Sequence, residues 1–472
     1  MRDFMTKMNL KRFLEISKVY RLIVFMFVFS TLFFIWQHLT GISWDFASYV
    51  INGKFFLSQS LYFEWLRPPL MPLLISAFSI FGWLASEYIF IIAVSAFYLF
   101  ASLRLANAAN IDKRIFYCIS LTPFLLNMSF IAGTELLSLA LLGLFAAFIL
   151  EKKAGLAGFV LGLAFLTRYT NIIFIPLILF FFFEKIKLTT KIKKIFLSAV
   201  FFLIPVSLWL IYNYLASGNA LMSIASSYML NISARQNVFT FIVPKHLLIA
   251  VNYYALLLIP GLIYGKKSKG YWLMLTFAAL ALYSYISVPL KTQDLSVKYL
   301  FAFLLPVFYF SAIFIEKFSK KEWMKIIFPV LIALNIMLAF SPAFLIMLPN
   351  ASIYSDASQF LDKDCMTMSN VWVPLNYLGY ATEPAPVEFN KYKIGVLIES
   401  GKRIFYFKKR IDEDYGYVKN ETFIKQFNIL NETDDFLLLG NKNSCETPTV
   451  FIENFGVNNC QLFVPKFLQK FC

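Results

Sequence analysis

Two stretches near the N-terminal end carry most of the residues able to do chemistry. One reads Trp44-Asp45-Phe46-Ala47-Ser48-Tyr49, the other Tyr62-Phe63-Glu64-Trp65-Leu66-Arg67-Pro68-Pro69-Leu70. Two carboxylates, a guanidinium and several aromatic rings thus share one short segment. Further along, Arg168-Tyr169 stands between two apolar runs and Lys298-Tyr299 opens another. One carboxylate among several cations suits a defined task. Asp45 can take a proton from a hydroxyl while Arg168 and Lys298, with Arg67 in a lesser role, hold a phosphate. Glu64 is placed either for a local ion pair with Arg67 or for the site itself, and Asp45 and Glu64 are also candidates to hold a divalent metal cation. Tyr49 reads equally as an interface anchor or a substrate contact. His246, beside Lys245, reads as an interfacial loop residue.

The elements that must position these groups lie in a bilayer. Of 472 residues, 59% are hydrophobic and 15% charged, and mean hydropathy is +0.68. Globular chains run near 45–50% apolar and roughly 25% charged, so a soluble protein is excluded. The net charge of +16 is unevenly placed. Residues 349–472 hold 13 basic and 15 acidic side chains, which leaves 30 basic and 12 acidic ones for residues 1–348. The basic excess therefore belongs to the membrane part, and no nucleic-acid partner is implied. A Walker loop, a dinucleotide fingerprint and a Cys-x-x-Cys pair are all missing. Two histidines, His38 and His246, exclude metal sites built on several histidines.

Apolar runs at about 22–39, 86–106, 115–131, 135–150, 154–167, 172–183, 195–214, 247–264, 271–290, 299–315 and 326–348 are read as spans, with their sides set by the charges between them. A further run at about 68–82 opens on Pro68-Pro69 and is short, which suits an interfacial or re-entrant helix. If it does not cross, 23 of the 30 basic residues fall on the cytoplasmic side and 7 outside, as the positive-inside rule asks. If it does cross, every later cluster changes sides. The expected protein is an α-helical polytopic membrane protein of about 11 transmembrane helices in the cell (plasma) membrane, its N-terminus cytoplasmic and its C-terminus extracytoplasmic. The apolar run after Arg21 is long, aromatic and lacks a small-residue cleavage site, so it is expected to be a first span and not a cleavable signal peptide.

The expected domains are a transmembrane one over 1–348, with a first extracytoplasmic loop at 40–85, and a small extracytoplasmic α/β domain over 349–472. Short β-rich runs at Lys393–Ile398, Arg403–Phe407, Phe436–Leu439 and Val450–Ile452 alternate with helical stretches at Tyr354–Leu361 and Glu421–Phe427. Four cysteines fall there, Cys365, Cys445, Cys460 and Cys472, and outside the cytosol they permit two disulfides in any of three connectivities. Sequons at Asn350, Asn420 and Asn431 lie in the same region.

The order of these motifs resembles the GT-C superfamily of polyprenyl-phosphate-sugar glycosyltransferases, in particular the branch with protein O-mannosyltransferases and lipid A aminoarabinose transferases. Asp45 and Tyr49 match its acidic first-loop motif. The segment from Arg67 to Leu70, ending at Phe81-Gly82, matches its Pro-Pro-Leu helix. Gly158–Tyr169 is similar to its Gly-rich span closing on a basic residue and Tyr, and Lys298-Tyr299 with Pro306 to its outer basic-Tyr pair. Phe46 replaces the commoner second acid, and Lys298 stands where Arg is more usual. The resemblance implies transfer of a sugar from a dolichyl or undecaprenyl phosphate to a protein, lipid or glycan acceptor on the outer face. Asp45 would be catalytic, and Tyr49, Glu64, Arg67, Arg168, Tyr169, Lys298 and Tyr299 would bind substrate among membrane lipids. The rival readings are a transporter or flippase of lipid-linked glycans, which would carry its ionisable groups near the bilayer midplane, and a glycan ligase.

Overall fold

The computed structural model describes residues 2–41, 43–131, 133–228, 244–287, 294–342, 344–345, 354, 359–411, 413–442 and 444–453. In its membrane part the helices are α1 (Arg2–Thr40), α2 (Trp44–Phe56), α3 (Leu70–Phe78), α4 (Trp83–Ala109), α5 (Lys113–Ser120), α6 (Pro123–Met128), α7 (Glu135–Leu150) and α8 (Ala154–Thr167). They continue as α9 (Leu188–Ser217), α10 (Met222–Tyr228), α11 (Pro244–Val251), α12 (Ala255–Tyr264), α13 (Tyr271–Ser287), α14 (Leu304–Phe318) and α15 (Glu322–Ala339). Among the described residues, six helical segments are long and apolar enough to cross a membrane: Tyr20–Thr40, Trp83–Ala109, Leu188–Ser217, Pro244–Lys267, Val297–Phe318 and Glu322–Ala339. Shorter apolar helices, Glu135–Leu150, Ala154–Thr167, Tyr169–Phe183 and Tyr271–Ile286, fill the bundle between them.

Local sequence explains where the expected spans are interrupted. The run at 115–131 is two helices and not one, because Thr122 caps α6, accepting from the Leu125 amide at 3.2 Å, and Pro123 takes its first position. Tyr169–Phe183 winds as a 3₁₀ helix around Pro176, whose ring cannot donate to an α-helical ladder. Asp294–Phe303 is also 3₁₀ and leads into α14. The Pro-Pro segment gives α3 and a single 3₁₀ turn, Ser79–Phe81. At about 1.5–2 Å of rise per residue that helix falls well short of a hydrocarbon core roughly 30 Å thick.

α7 is apolar all round and buried from Glu135 to Ile149, which makes it the central helix of the bundle. It carries Glu135 to the bundle end where the first loop sits. α8 lies so close to α9 that a Cβ on Gly158 would stand 1.9 Å from the Ser198 carbonyl oxygen, and one on Gly162 would stand 2.7 Å from that of Phe202. The small residues of the Gly158–Tyr169 stretch thereby fix the backbone that presents Arg168.

The tail forms a five-stranded mixed sheet from β2 (Thr367–Ser369), β3 (Thr382–Pro384), β4 (Arg403–Phe407), β5 (Ile429–Glu432) and β6 (Phe436–Leu439), in the order β3-β2-β4-β6-β5. β2 runs parallel to β3 and β4, and β6 antiparallel to β4 and β5. Helices α16 (Trp372–Tyr377), α17 (Ile394–Glu399) and α18 (Glu421–Ile424) complete it. Lys393–Ile398, expected as a strand, is helical. Its two buried residues, Ile394 and Ile398, recur at the four-residue spacing of a helix face, and both pack in the tail core. Arg403–Phe407 and Phe436–Leu439 are strands as expected and Glu421–Ile424 is helical; of the expected helix at Tyr354–Leu361, residues 355–358 lie outside the described residues and 359–361 form a turn. Cys365 is disulfide-bonded to Cys445. Cys460, Cys472 and the sequon at Asn350 lie outside the described residues.

A second, two-stranded sheet ties the tail to the first loop. β1 (Tyr62–Glu64) pairs in parallel with β7 (Phe451–Glu453), Tyr62 opposite Phe451 and Glu64 opposite Glu453. Ala47, Ile51, Tyr62 and Val373 form a small shared core at this junction. The Trp44 and Trp372 rings meet edge to face at 4.8 Å. Lys54 donates to the Tyr377 carbonyl oxygen at 3.2 Å, and the Tyr377 hydroxyl donates to Glu87, which also bonds His38 at 2.8 Å.

Candidate functional site

Asp45 sits in the first turn of α2, and its carboxylate is held from two sides. Arg67 Nη1 is 2.8 Å from Oδ1 and Lys298 Nζ 2.9 Å from Oδ2. Arg67 is itself fixed by Glu64, whose Oε2 accepts from Nε at 2.6 Å. Glu64 is 2% exposed, and every contact it makes is specified by neighbours. Its Oε1 accepts from Ser48 at 3.1 Å and from the Tyr62 hydroxyl at 2.9 Å, while Asn52 bonds both its backbone amide and its carbonyl. Ser48 and Asn52 lie four residues apart on α2, so one face of that helix reads the β1 segment. The guanidinium of Arg67 also stands 5.5 Å from the Tyr49 ring centroid, within cation–π range.

A second pair adjoins this array. Arg168 Nη1 is 2.7 Å from Glu135 Oε1, and Glu135 is fully buried. Its Oε2 has no hydrogen-bond partner among the described residues. Arg168 and Lys298 both approach the Tyr299 ring, at 5.9 and 6.0 Å from its centroid. Glu135, Ser138, Arg168, Asn171, Lys298 and Tyr299 line a narrow opening. Asn171 is oriented there by bonds to the Ser138 hydroxyl and the Ala164 carbonyl oxygen.

Charge placement sets the protonation of the loop groups. Burial pushes the Asp45 carboxyl up, but the charges of Lys298 and Arg67 together outweigh it and hold the group well below the usual carboxylate range. Burial raises the Tyr49 phenol to about 12, so it stays neutral. Arg67 is driven further toward the charged form by Glu64 and Asp45, against its own burial. The array is a set of fixed ions.

Those ions bear on the metal reading. Both oxygens of Asp45 and both of Glu64 already accept from protein donors, so a divalent cation would have to displace Lys298 or Arg67. The donor set does not fit a resident metal. Among the described residues no group of three or more His, Cys, Asp or Glu side chains is placed to hold one.

Of the residues singled out in the sequence, Asp45, Tyr49, Glu64, Arg67, Arg168, Lys298 and Tyr299 come together. Tyr169 turns away to the α9–α10 corner, where its hydroxyl accepts from Trp209 Nε1 at 3.1 Å. His246 is buried against Tyr285, 2.7 Å from its hydroxyl. Sequence reasoning missed Glu135, Ser48, Asn52 and Glu453. Glu135 had a usable signal, an acid at the start of an apolar run, where a helix N-terminus favours negative charge.

No known family profile matches the sequence, and neither does any curated protein. Solved structures do. ArnT from Cupriavidus metallidurans, bound to undecaprenyl phosphate, superposes with a TM-score of 0.65 at 9% identity, over 90% of this chain and 98% of that one. The oligosaccharyltransferase of Archaeoglobus fulgidus in its apo form gives 0.53 at 12% identity, over 87% of this chain and 73% of that one. The chain therefore has an ArnT-like fold, helical through the membrane part with a small C-terminal sheet region, the architecture that its GT-C resemblance implies.

Proposed function

We propose that the protein is an integral-membrane glycosyltransferase that moves a sugar from a polyprenyl phosphate to an acceptor hydroxyl or amine on the extracytoplasmic face. The observation that carries this reading is the seating of Asp45 between Arg67 and Lys298, with the Arg168–Glu135 pair beside it across the Tyr299 ring. The neighbour fold bound to undecaprenyl phosphate supports the lipid class of the donor. The tail, residues 349–472, lies on the same side as an exported domain, and the N-terminus is cytoplasmic.

In the reaction the acceptor oxygen or nitrogen forms a bond to the anomeric carbon, and the bond from that carbon to the phosphate oxygen breaks. The electron pair leaves on the phosphate, an anion of low basicity, so cations and not a general acid are what the departure needs. Asp45 takes the acceptor proton. As an ion pair with Lys298 and Arg67 it is a weak base. A phosphate entering the opening competes for Lys298, and the contact it takes there returns basicity to Asp45. Donor binding thus arms the base, and an acceptor arriving alone meets an inert carboxylate.

Membranes containing the chain, supplied with radiolabelled polyprenyl-phosphate sugars, should transfer label to an endogenous acceptor, and membranes with Asp45→Asn should not. Label uptake into vesicles without covalent transfer would sink the transferase reading in favour of a transporter.

A further inference from the structure

Behind the site, one phenol oxygen has too many acceptors. The Tyr62 hydroxyl bonds Glu64 Oε1 at 2.9 Å and also bonds Glu453 Oε2, and it accepts from Trp372 Nε1 at 2.8 Å. A phenol has one proton to give. Trp372 takes one lone pair, and the single proton serves one carboxylate. The other carboxyl group must bring its own proton and donate it to the remaining lone pair.

Surroundings decide which of the two is neutral. Glu64 is already engaged by Arg67 and Ser48 besides Tyr62. Glu453 has no ion pair among the described residues. It is pinned by its backbone, whose carbonyl oxygen accepts from the Trp65 amide at 3.1 Å. Burial and then the Glu64 charge raise its carboxyl to about 8, with Tyr62, Arg67 and Trp372 opposing in smaller measure. Among the described residues, the groups facing it are Tyr62, Glu64 and Arg67 of the first loop and Trp372 of α16.

We infer that Glu453 is a positioning residue: as a neutral acid of the tail it donates to Tyr62, which frees the Tyr62 proton for Glu64, and Glu64 in turn sets Arg67 against Asp45. When Glu453 ionises, two carboxylates surround one phenol proton. The β1–β7 contact loosens, and Arg67 loses its fixed seat. This role rests on the transferase reading above, and it makes transfer depend on the protonation of a tail residue.

Glu453→Gln separates the alternatives, since its amide can donate to Tyr62 but cannot ionise, whereas Glu453→Ala cannot donate. In proteoliposomes between pH 6 and 9.5, wild-type transfer should fall about tenfold per unit above pH 8, the slope of a single ionisation. The Gln variant should lack that fall, and the Ala variant should be slow throughout. A second arm needs no activity. A carboxyl raised in the folded state stabilises most below its unfolded value and loses that contribution as pH rises through the folded one. The melting temperature of the purified protein should therefore decline from pH 5 to 8 in wild type and less steeply in Glu453→Gln. An alkaline fall or a melting slope unchanged in the Gln variant overturns the proposal, as does an Ala variant of full rate. Should no donor support transfer by the wild type, the transferase reading falls, and the melting arm alone decides the state of Glu453.

Discussion

Lys298 reaches across 253 positions of chain to set its ammonium 2.9 Å from Asp45 Oδ2. The contact joins the short helix of the first loop to the 3₁₀ segment that opens the span before Pro306. It turns Asp45 from a solvated loop acid into one pole of a charge array.

Substitutions at this pair should separate proton transfer from phosphate binding. Asp45→Asn cannot accept a proton, so turnover should drop about 10²-fold or more. Affinity for undecaprenyl phosphate should hold or improve, because a competitor for Lys298 and Arg67 is gone. Lys298→Gln should weaken both binding and turnover, since the phosphate is anionic in the ground state and gains charge as the bond breaks. Steady-state kinetics with a binding assay on each variant checks this, and a fully active Asp45→Asn would refute the base assignment.

Arg168 is expected to serve stability as well as the proposed chemistry. Removing it in Arg168→Gln leaves Glu135 as a buried charge without its partner, a change that typically costs about 3–5 kcal/mol. Glu135→Gln combined with Arg168→Gln should restore much of the melting temperature but not the activity. If the double variant is no more stable than Arg168→Gln alone, the two residues are not coupled as described.

The Cys365–Cys445 bridge closes a loop with a sequence separation of 80, and a disulfide typically stabilises by about 2–4 kcal/mol, more for longer loops, mainly through the unfolded chain. Cys365→Ser with Cys445→Ser should lower the melting temperature of the tail. Peptide mapping of non-reduced protein should recover the two cysteines in one linked peptide, and finding both as free thiols would refute the pairing.

Sidedness can be read by labelling. Cysteines placed at the exposed positions Leu57 and Asn420 should react with an impermeant maleimide added to intact cells, and ones at Lys153 and Lys267 should not. The reverse pattern would invert the orientation and move the site to the cytoplasm.

The sequence showed the polytopic membrane class because hydropathy is a property of contiguous residues. Asp45, Arg67 and Lys298 were legible for a related reason: polar groups in an aromatic, apolar setting stand out one at a time. What joins them was not legible. Nothing near Lys298 points to Asp45, and nothing near Glu453 points to Tyr62, because strand pairing and bundle packing set those distances. Tyr169 shows the converse. Its place beside Arg168 suggested the site, but the turn into a 3₁₀ segment carries its ring to Trp209 instead. Lys393–Ile398 was misread because a short apolar run carries little periodic signal.

The strand of the first loop finds its partner only near residue 453, at a sequence separation of 391 from Tyr62 to Glu453. During synthesis β1 emerges early and waits through every later span before β7 exists to pair with it. Contacts so distant in sequence form late, after the closure entropy of the intervening chain has been met by packing elsewhere. The Tyr62–Glu64 segment is thus completed as a closing step of biogenesis, and a nascent chain halted in the membrane part would hold Asp45 and its cations without the strand that seats them.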